Sequence, residues 1–325
     1  MNKQELYLLK FDPILKEKVW GGKKLKQLFN KNSPSDKTGE SWEISDVEGS
    51  GSIVSNGEFK GKSLKWLLEE YNSRLVGKKV FNRFGTKFPL LIKFIDAAEN
   101  LSVQLHPNDE IAQKRHNSFG KTEMWYIMQA DKDAELILGF KDVITKQEYT
   151  SLVENNKLLT ALNSERVKVG DAFMINTGLV HAIGAGVVLA EIQQTSDITY
   201  RIYDWDRTSN SGEKRELHTD LALEAIDLSA NRNFRIKYDL KPDQSSEIII
   251  TKYFKTNIIQ LESLVKRDYS SLDSFVILMG VEGKAIVKSG DYSEELKQGE
   301  SILIPAEIGE ITIEGGNSKI LEVSL

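Results

Sequence analysis

The sequence predicts a mainly β protein with inserted helices, followed by a second, smaller β domain. Short runs rich in β-branched and aromatic residues recur along the chain and are bounded by glycine and other turn residues, which is typical of strands. Only three windows show the apolar spacing of a helix. Two pieces of the central β region also recur, in the same order, near the C-terminus.

Four runs predict the strands of the first domain. Residues 87–96 (KFPLLIKFID) form the first of them, ahead of the segment LSVQLHPND. The others cover residues 124–128, 172–175 and 187–192. Each run is four to ten residues long and apolar or β-branched, as expected of buried strands.

Helical spacing appears in three insertions. Residues 63–76 place leucines at 64, 67, 68 and 75, and Ser63 is a suitable N-cap. Residues 145–161 and 220–227 show similar spacing. Residues 237–246 (KYDLKPDQSS) are polar and contain Pro242, which predicts a linker. We therefore expect a first domain over 1–236, a linker over 237–246 and a C-terminal β domain over 247–325.

The C-terminal domain is predicted to repeat the architecture of the central region. VKVGDAFMINTGLVH (167–181) is similar to LKQGESILIPAEIGE (296–310), and MWYIMQA (124–130) is similar to FVILMGV (275–281). In these alignments Glu310 stands at the position of His181, and Ser274 at that of Glu123. The second copy is therefore expected to be structural and without metal ligands, unless the match reflects only two short strands joined by a glycine turn.

Composition excludes several classes of protein. The 325 residues carry a net charge of −5, which gives no basic surface for nucleic acid. The absence of cysteine excludes disulfides and thiolate metal sites and fits a reducing cytoplasm. No apolar run approaches the roughly 18 residues of a membrane span, and the N-terminal segment lacks the pattern of a signal peptide.

Four polar residues at strand ends predict a divalent metal site. Gln104 and His106 are two positions apart in a β-branched context, so both side chains would lie on one face of a strand. Glu123 opens a second strand-like run, and His181 lies between two more. Zinc accepts such nitrogen and oxygen donors, and an open position would make the site catalytic. The alternative is that each histidine is a surface or hydrogen-bonded residue, which we expect for His116 in its polar segment.

Several segments together resemble type I phosphomannose isomerase, in its short bacterial form, a family of the cupin superfamily. They are LSVQLHPND, GKTEMWYIM, LVHAIGAG, EIQQTSDITYRIYDWDR, VWGGKKL, TGESWEIS and ELHTDLALEAID. The resemblance covers most of residues 10–227 and keeps the family's order. It implies a cupin-type double-stranded β-helix, or jelly roll, followed by a smaller metal-free cupin-like domain.

The resemblance also implies one Zn²⁺ bound by Gln104, His106, Glu123 and His181, and reversible conversion of mannose 6-phosphate to fructose 6-phosphate. Arg201 and Lys121 match an arginine and a lysine that lie in the family's active site. One departure concerns the turn before His181. It reads Ile-Asn-Thr-Gly at 175–178, where the family usually has proline followed by a small residue.

The residues allow more than one assignment of roles in such a reaction. Isomerisation passes through a cis-enediol, and a cation near its oxygens lowers the barrier. Lys121 is a candidate base or a cationic clamp, and Glu43 and Glu191 are carboxylate alternatives. Arg201 is predicted to stabilise the enediolate or bind phosphate, or else to pair with Asp204 or Asp206 at the surface.

Further residues are predicted around the substrate. Arg207 is a secondary phosphate candidate, Trp20 and Trp42 are candidates for lining the pocket, and His218 is predicted to be structural. We expect a small sugar phosphate as partner, no nucleic acid or membrane, a cytoplasmic location, and a monomer or weak homodimer. The alternatives are a cupin oxygenase using Fe(II), which would be expected to have more histidine ligands, and a non-catalytic sugar-phosphate-binding module.

Overall fold

The computed structural model describes residues 4–208, 212–230 and 233–325, and strands dominate these ranges. The strands of the N-terminal half are β1 (Ile14–Gly22), β2 (Thr38–Ile44), β3 (Asp46–Val47), β4 (Ser50–Gly51), β5 (Leu90–Ala97), β6 (Val103–Leu105), β7 (Glu123–Ala130), β8 (Glu135–Phe140), β9 (Leu162–Arg166), β10 (Ala172–Ile175), β11 (His181–Ile183), β12 (Val187–Gln194), β13 (Tyr200–Tyr203) and β14 (Arg235–Ile236). The strands of the C-terminal half are β15 (Ser245–Ile250), β16 (Lys255–Leu261), β17 (Leu264–Asp268), β18 (Val276–Glu282), β19 (Lys284–Ser289), β20 (Tyr292–Lys297), β21 (Ser301–Ile304), β22 (Glu310–Gly315) and β23 (Ser318–Ser324). The prediction of a mainly β chain with a second, smaller β region is confirmed.

The helices are short and lie in the connections of the first half. They are α1 (Lys24–Phe29), α2 (Leu64–Tyr71), α3 (Ser73–Val76), α4 (Lys78–Phe84), α5 (Asp109–His116), α6 (Lys146–Glu154), α7 (Leu158–Ala161) and α8 (Thr219–Ala225). Ser63 caps α2 as predicted, because its side chain accepts a hydrogen bond from the N–H of Trp66 at 3.0 Å.

Two of the predicted helices are each interrupted. The helix predicted over 63–76 divides into α2 and α3 at Asn72, whose φ of 49° lies in the left-handed region. The helix predicted over 145–161 divides into α6 and α7 beside Asn156, at φ 55°. Asparagine adopts left-handed φ values more readily than most residues. At both positions it ends a helix that the apolar spacing alone would extend.

The first half forms an eight-stranded jelly roll with extra edge strands. One sheet contains β5, β12, β7 and β10 in that order, extended by β1, β2 and β14. The facing sheet contains β6, β11, β8 and β9, extended by β13. Numbering the eight strands from β5, the two orders are 1-8-3-6 and 2-7-4-5, the pattern of a double-stranded β-helix in which two Greek-key sheets face each other.

The second half repeats this arrangement strand for strand. Its sheets have the orders β16-β23-β18-β21 and β17-β22-β19-β20, which are again 1-8-3-6 and 2-7-4-5. The similarity of two short segments therefore extends to a duplication of all eight strands.

The strand register corrects one pair in the predicted alignment of the two copies. Glu123 pairs with Ile175 on β10, and Val276 pairs with Ile304 on β21, so Val276 rather than Ser274 occupies the position of Glu123. Glu310 begins β22 as His181 begins β11, but Glu310 is exposed whereas His181 is buried. The described residues of the second barrel contain no group of His, Cys, Asp and Glu side chains suited to hold an ion.

The two barrels share a continuous apolar core. This core joins side chains of α2–α4 and the outer face of the β5 sheet to the outer face of the β16 sheet, with Phe88 and Phe275 in contact at a ring distance of 4.7 Å. Leu9, near the N-terminus, exchanges two backbone hydrogen bonds of 2.9 Å with Leu303 on β21. The predicted linker lies between β14 and β15, and β15 begins inside it at Ser245.

Candidate metal centre and its cavity

The four predicted ligands converge inside the first barrel. Gln104 on β6 pairs directly with His181 at the start of β11, and their side chains approach to 3.4 Å between the two Nε2 atoms. His106 follows the end of β6, and its ring lies 4.8 Å from that of His181. Glu123 begins β7, with Oε1 at 3.4 Å from His106 Nε2 and Oε2 at 4.0 Å from His181 Nε2. The facing sheets of the jelly roll thus bring together residues up to 77 positions apart in sequence.

Backbone carbonyls orient both imidazoles. His106 donates from Nδ1 to the carbonyl of Ile198 at 2.8 Å, and His181 donates from Nδ1 to the carbonyl of Leu179 at 2.9 Å. Because a carbonyl only accepts, the proton of each neutral ring lies on Nδ1, and the lone pair of Nε2 is directed at Glu123. A hydrogen bond of this kind from the distal nitrogen is typical of metal-binding histidines.

The turn that carries His181 is fixed without the family's usual proline. Gly178 has φ +83°, and an added Cβ would lie 2.5 Å from the carbonyl oxygen of Ala225. Its N–H donates to the carbonyl of His106 at 2.8 Å. The turn is therefore tied directly to a second candidate ligand, and only glycine fits there.

Burial keeps the imidazoles neutral and the carboxylate charged. His106 is fully buried, and burial together with nearby Lys121 lowers the pKa of His106 to about 4. Burial likewise lowers the pKa of His181. Burial acts to raise the pKa of Glu123, but the charge of Lys121 outweighs it and holds that pKa well below its usual range. Neutral imidazole and ionised carboxylate are the forms that bind a metal ion.

Glu123 has no hydrogen-bond partner for either carboxylate oxygen, although it is 1% exposed. Lys121 Nζ lies 3.0 Å from Oε1 but not in hydrogen-bonding geometry. Burying a carboxylate costs several kcal/mol unless cations and hydrogen bonds compensate it, and here the ion pair with Lys121 does so without any hydrogen bond to either oxygen. The two imidazole Nε2 atoms beside it present lone pairs, so the residues present fit a divalent cation.

Gln104 can complete the set through its amide. Its Oε1 accepts a hydrogen bond from Ser102 Oγ at 3.1 Å, while its Nε2 faces His181. A half-turn of the amide would present Oε1 to the centre, and the hydroxyl of Ser102 would then accept from Nε2.

A cavity of about 300 Å³ opens beside this centre. This volume is at the lower end of the range of small-molecule sites. The cationic side chains that line it are those of Lys16, Lys18, Lys93, Lys121, Arg201 and Arg215. The acidic ones are those of Glu40, Glu48, Glu191 and Asp197. Trp20, Trp42 and Trp125 form apolar parts of the wall, so the lining suits a small polar ligand with negative charge.

Arg201 presents an unpartnered donor at this cavity. It pairs with Gln104 across β13 and β6, which directs its side chain to the same interior. Its Nη1 donates to the carbonyl of Glu216 at 2.9 Å, but its Nε is buried without a hydrogen-bond partner. Burial, reinforced by the charge of Arg215, lowers the pKa of Arg201. Asp204, one of its predicted surface partners, is bound instead by Arg207 and Arg215.

The other predicted site residues divide into two groups. Lys121 and Trp20 line the cavity and are 5% and 4% exposed. Glu43 lies outside the lining, where Lys31 donates to both of its oxygens at 2.8 and 2.9 Å. Arg207 also lies outside it and donates to the carbonyl of Asn100 at 2.8 Å.

The two remaining histidines lie where the sequence predicts. His116 is exposed, and its Nε2 lies 2.8 Å from the hydroxyl of Tyr200. His218 accepts a hydrogen bond on Nδ1 from the N–H of Arg201 at 3.1 Å, so it supports the backbone of that arginine.

Two charged residues of the cavity, Lys93 and Glu40, had no role in the sequence-based prediction. Lys93 donates to Glu191 at 2.9 Å, and Trp125 Nε1 donates to the other oxygen of Glu191 at 2.8 Å. Burial opposes the charge of Lys93, but Glu191 and Glu40 raise its pKa and keep it cationic. Strand alternation could have identified Glu40 as a cavity residue, because it lies on the same face of β2 as Trp42, a predicted pocket-lining residue.

Comparison with known proteins agrees with this geometry. A model of the catalytic domain of type I phosphomannose isomerase matches residues 8–150, and a model of the mannose-6-phosphate isomerase cupin domain matches residues 244–324. Mannose-6-phosphate isomerase ManA of Bacillus subtilis is 36% identical over 310 residues, which are 94% of this chain and 95% of that protein. The mannose-6-phosphate isomerase of Streptococcus mutans is 32% identical over 290 residues, 89% of each chain.

Solved structures show the same fold. The crystal structure of the mannose 6-phosphate isomerase from Bacillus subtilis superposes with a TM-score of 0.89 at 32% identity, covering 98% of this chain and all of that one. A variant of phosphomannose isomerase from Salmonella typhimurium has a TM-score of 0.81 at 17% identity, covering 97% of this chain and 98% of that one, and shows the fold alone. Matched along nearly its whole length by relatives above 30% identity, with both domain models in order, this chain belongs to the type I phosphomannose isomerase family.

Proposed function

We propose that the protein catalyses the reversible isomerisation of D-mannose 6-phosphate to D-fructose 6-phosphate through a cis-enediol. The observation that carries this proposal is the buried carboxylate of Glu123. It lacks a hydrogen bond, lies beside the Nε2 atoms of His106 and His181, and forms part of a centre beside a cationic cavity. The family membership and the names of the relatives support the same reaction.

We propose zinc as the metal, held by Gln104, His106, Glu123 and His181. Two imidazoles, a carboxylate and an amide oxygen are donors that Zn²⁺ accepts, and Mn²⁺ and Co²⁺ are compatible with the same set. A divalent cation bound there would supply Lewis-acid stabilisation for the charge that develops on the C1 and C2 oxygens.

Arg201 supports the same charge from the protein. Arg201 lines the cavity and its buried Nε has no hydrogen-bond partner, so we propose that a developing oxyanion or a phosphate oxygen provides the acceptor that it lacks. One well-aimed donor is worth about 3–4 kcal/mol in a transition state. The planar guanidinium also suits a bidentate contact, which a lysine cannot make.

Lys121 and Glu191 are the two candidates for the proton transfer at C2. Both line the cavity, whereas Glu43 is directed away from it. Glu191 already accepts hydrogen bonds on both oxygens, from Lys93 and Trp125. Lys121 Nζ lies 3.3 Å from His106 Nε2 and 3.0 Å from Glu123 Oε1, beside the candidate metal centre. We assign Lys121 the contact with substrate, as base or as cationic clamp.

Arg215 is a better candidate than Arg207 for the phosphate, because Arg215 lines the cavity. Trp20 provides an apolar part of the wall for the sugar. We assign catalysis to the domain over 1–236, which the linker over 237–246 joins to a metal-free domain over 247–325.

No helix among the described residues is long and apolar enough to cross a membrane. We propose a cytoplasmic enzyme, since its substrate is a phosphorylated sugar and the chain has no cysteine. We further propose that it is a monomer or a weak homodimer.

A coupled assay tests the function. Purified protein supplied with Zn²⁺ should interconvert mannose 6-phosphate and fructose 6-phosphate without O₂, and EDTA should abolish the activity. Binding of mannose 6-phosphate without any turnover in the metal-loaded protein would instead show a sugar-phosphate-binding module. Activity that survives exhaustive chelation would rule out the role of the metal.

A further inference from the structure

A chain of hydrogen bonds connects Tyr253, in the second half of the sequence, to the segment that carries Lys121 and Glu123. Tyr253 lies in the turn between β15 and β16 and donates its hydroxyl to Asp109 Oδ2 at 2.6 Å. The other oxygen of Asp109 accepts from the N–H of Gly120 at 3.0 Å and from Gln194 Nε2 at 2.9 Å. Asp109 therefore joins the C-terminal half to the residue immediately before Lys121.

Gln194 extends this chain of contacts to the other side of Lys121. Its Oε1 accepts from the N–H of Thr122 at 3.0 Å, and its own N–H donates to the carbonyl of Thr122 at 3.2 Å. Thr122 lies between Lys121 and Glu123, so both neighbours of Lys121 are fixed. The position of the Lys121 backbone thus depends on Asp109 and Gln194.

Steric contact sets how closely this segment approaches α5. A Cβ added to Gly120 would lie 2.7 Å from the backbone nitrogen of Asp109 and 2.8 Å from the carbonyl carbon of Asn108. Only glycine allows the N–H of residue 120 to reach the Asp109 carboxylate at this distance.

Hydrogen bonds rather than close packing hold this region. A cavity of about 310 Å³ lies behind the segment and is lined by Asp109, Gln194 and Tyr253, with Phe84 and Phe119 beside them. Burial acts to raise the pKa of Asp109, but the hydrogen bonds from Tyr253, Gln194 and Gly120 lower it, so its carboxylate is ionised at neutral pH. Hydrogen bonds to an ionised acceptor are roughly twice as strong as neutral ones.

We propose that Tyr253 is a positioning residue for the isomerase reaction, acting through Asp109 and Gln194 to fix Lys121 relative to Glu123. The proposal rests on the proposed function, since it concerns the geometry of that same site. Tyr253 does not line the active-site cavity, so its hydroxyl acts through the segment rather than on the substrate. It follows that the metal-free second barrel contributes to catalysis by holding the active-site segment of the first.

The test compares Tyr253→Phe with the matched variant Tyr238→Phe in the full-length, metal-loaded enzyme. Tyr238 also donates its hydroxyl, to the carbonyl of Gly170, but lies away from the Lys121 segment. A misplaced catalytic group reduces kcat, so we expect Tyr253→Phe to lower kcat about 10-fold and to change KM less than about 2-fold. Tyr238→Phe should retain wild-type kcat, although its loss of thermal stability should be similar to that of Tyr253→Phe. Wild-type kcat in Tyr253→Phe, or equal losses of kcat in the two variants, would overturn the proposal.

A double-mutant cycle tests whether Tyr253 acts through Asp109. Asp109→Asn weakens the same chain, so the double variant Tyr253→Phe/Asp109→Asn should lose little more kcat than the worse single variant. Fold-losses that multiply would show independent action and contradict the proposal. If Tyr253→Phe does not fold, Asp109→Asn is compared with Tyr238→Phe in its place by the same criterion.

Hydrogen exchange separates this proposal from the proposed function. The amides of Gly120 and Thr122 are the donors in the chain, and they should exchange about 10-fold faster in Tyr253→Phe, because their acceptors are less well held. That readout requires no turnover, so an inactive wild-type enzyme would refute the function and leave this test intact. Unchanged exchange at both amides would refute the role of Tyr253.

Discussion

Replacing His181 by alanine should remove the metal-dependent part of the protein's thermal stability. His181 is 1% exposed, and its Nε2 lies 4.0 Å from Glu123 Oε2 and 3.4 Å from Gln104 Nε2, so the substitution deletes one donor from the centre. An ion present at about 100 times its Kd stabilises the folded state by about 2.7 kcal/mol, which for 325 residues corresponds to a shift in Tm of roughly 4 °C. The variant should show almost none of that shift.

The assay is the difference in Tm with Zn²⁺ and with EDTA, measured by calorimetry on each protein. The difference is needed because truncating a buried side chain itself costs roughly 2–5 kcal/mol, which lowers both melting temperatures together. His116→Ala is the matched control, since His116 is an exposed histidine outside the metal centre, and it should keep the wild-type shift. An undiminished Zn²⁺-dependent shift in His181→Ala would refute the assignment of that residue as a ligand.

Further outcomes follow from the cavity and from the second barrel. Arg201→Ala should lower kcat/KM roughly 10²–10³-fold in the coupled assay and leave the metal content by mass spectrometry unchanged. Arg207→Ala, which alters an arginine outside the cavity, should cost less than about 10-fold, and equal losses would refute the distinction. Lys121→Arg keeps the positive charge but removes the amine. If Lys121 is the base, steady-state kinetics should show a loss of kcat of at least about 10-fold. If Lys121 is a cationic clamp, the variant should retain most of kcat. Burial acts to raise the pKa of Glu322, but Arg267 and the hydrogen bonds to its carboxylate lower the pKa below the ordinary 4.5. The ionised Glu322 therefore stabilises the fold fully above pH 4.5, and this stabilisation is lost as the pH falls through the lowered pKa of the folded state. Acid unfolding followed by circular dichroism should therefore show a flatter loss of stability in Glu322→Gln than in wild type, and no change in the exposed control Glu310→Gln.

The candidate metal centre could be predicted from sequence because its chemistry depends on residue type and its geometry on strand ends. Glu123 opens β7, and Gln104 lies on β6 with His106 just beyond its end. Short apolar runs located these strands closely, and β10 begins and ends where the sequence predicts. What the sequence could not give was the cross-strand register, which sets His181 opposite Gln104.

The charged residues around the substrate were harder to predict, because loop geometry and register decide which of them face the cavity. Trp205 and Asp206 adopt positive φ values of 57° and 56°, and these reverse the chain after β13 and direct Arg207 away. Lys93 and Glu191 are 98 positions apart and meet only because β5 and β12 are neighbours in that register. Glu43 differs, since strand alternation with Trp42 indicates that it lies on the opposite face from the cavity.

The duplication shows a similar limit. Two matching segments predicted the second barrel, and the strand orders extend the match to all eight strands of each half. The register moves the counterpart of Glu123 by two residues, from Ser274 to Val276, and a shift of two preserves the alternation of faces, so the apolar pattern does not reveal it. Glu310 and His181 begin equivalent strands and differ in burial, which the similarity of the two segments does not show.

Titration of the metal-depleted protein tests the central claim most directly. After exhaustive chelation and removal of the chelator, isomerisation of mannose 6-phosphate should be absent and should rise with added Zn²⁺ until one equivalent per chain is bound. Full activity in protein that contains no metal by mass spectrometry would contradict the claim, as would restored turnover with Zn²⁺ in a variant lacking both His106 and His181.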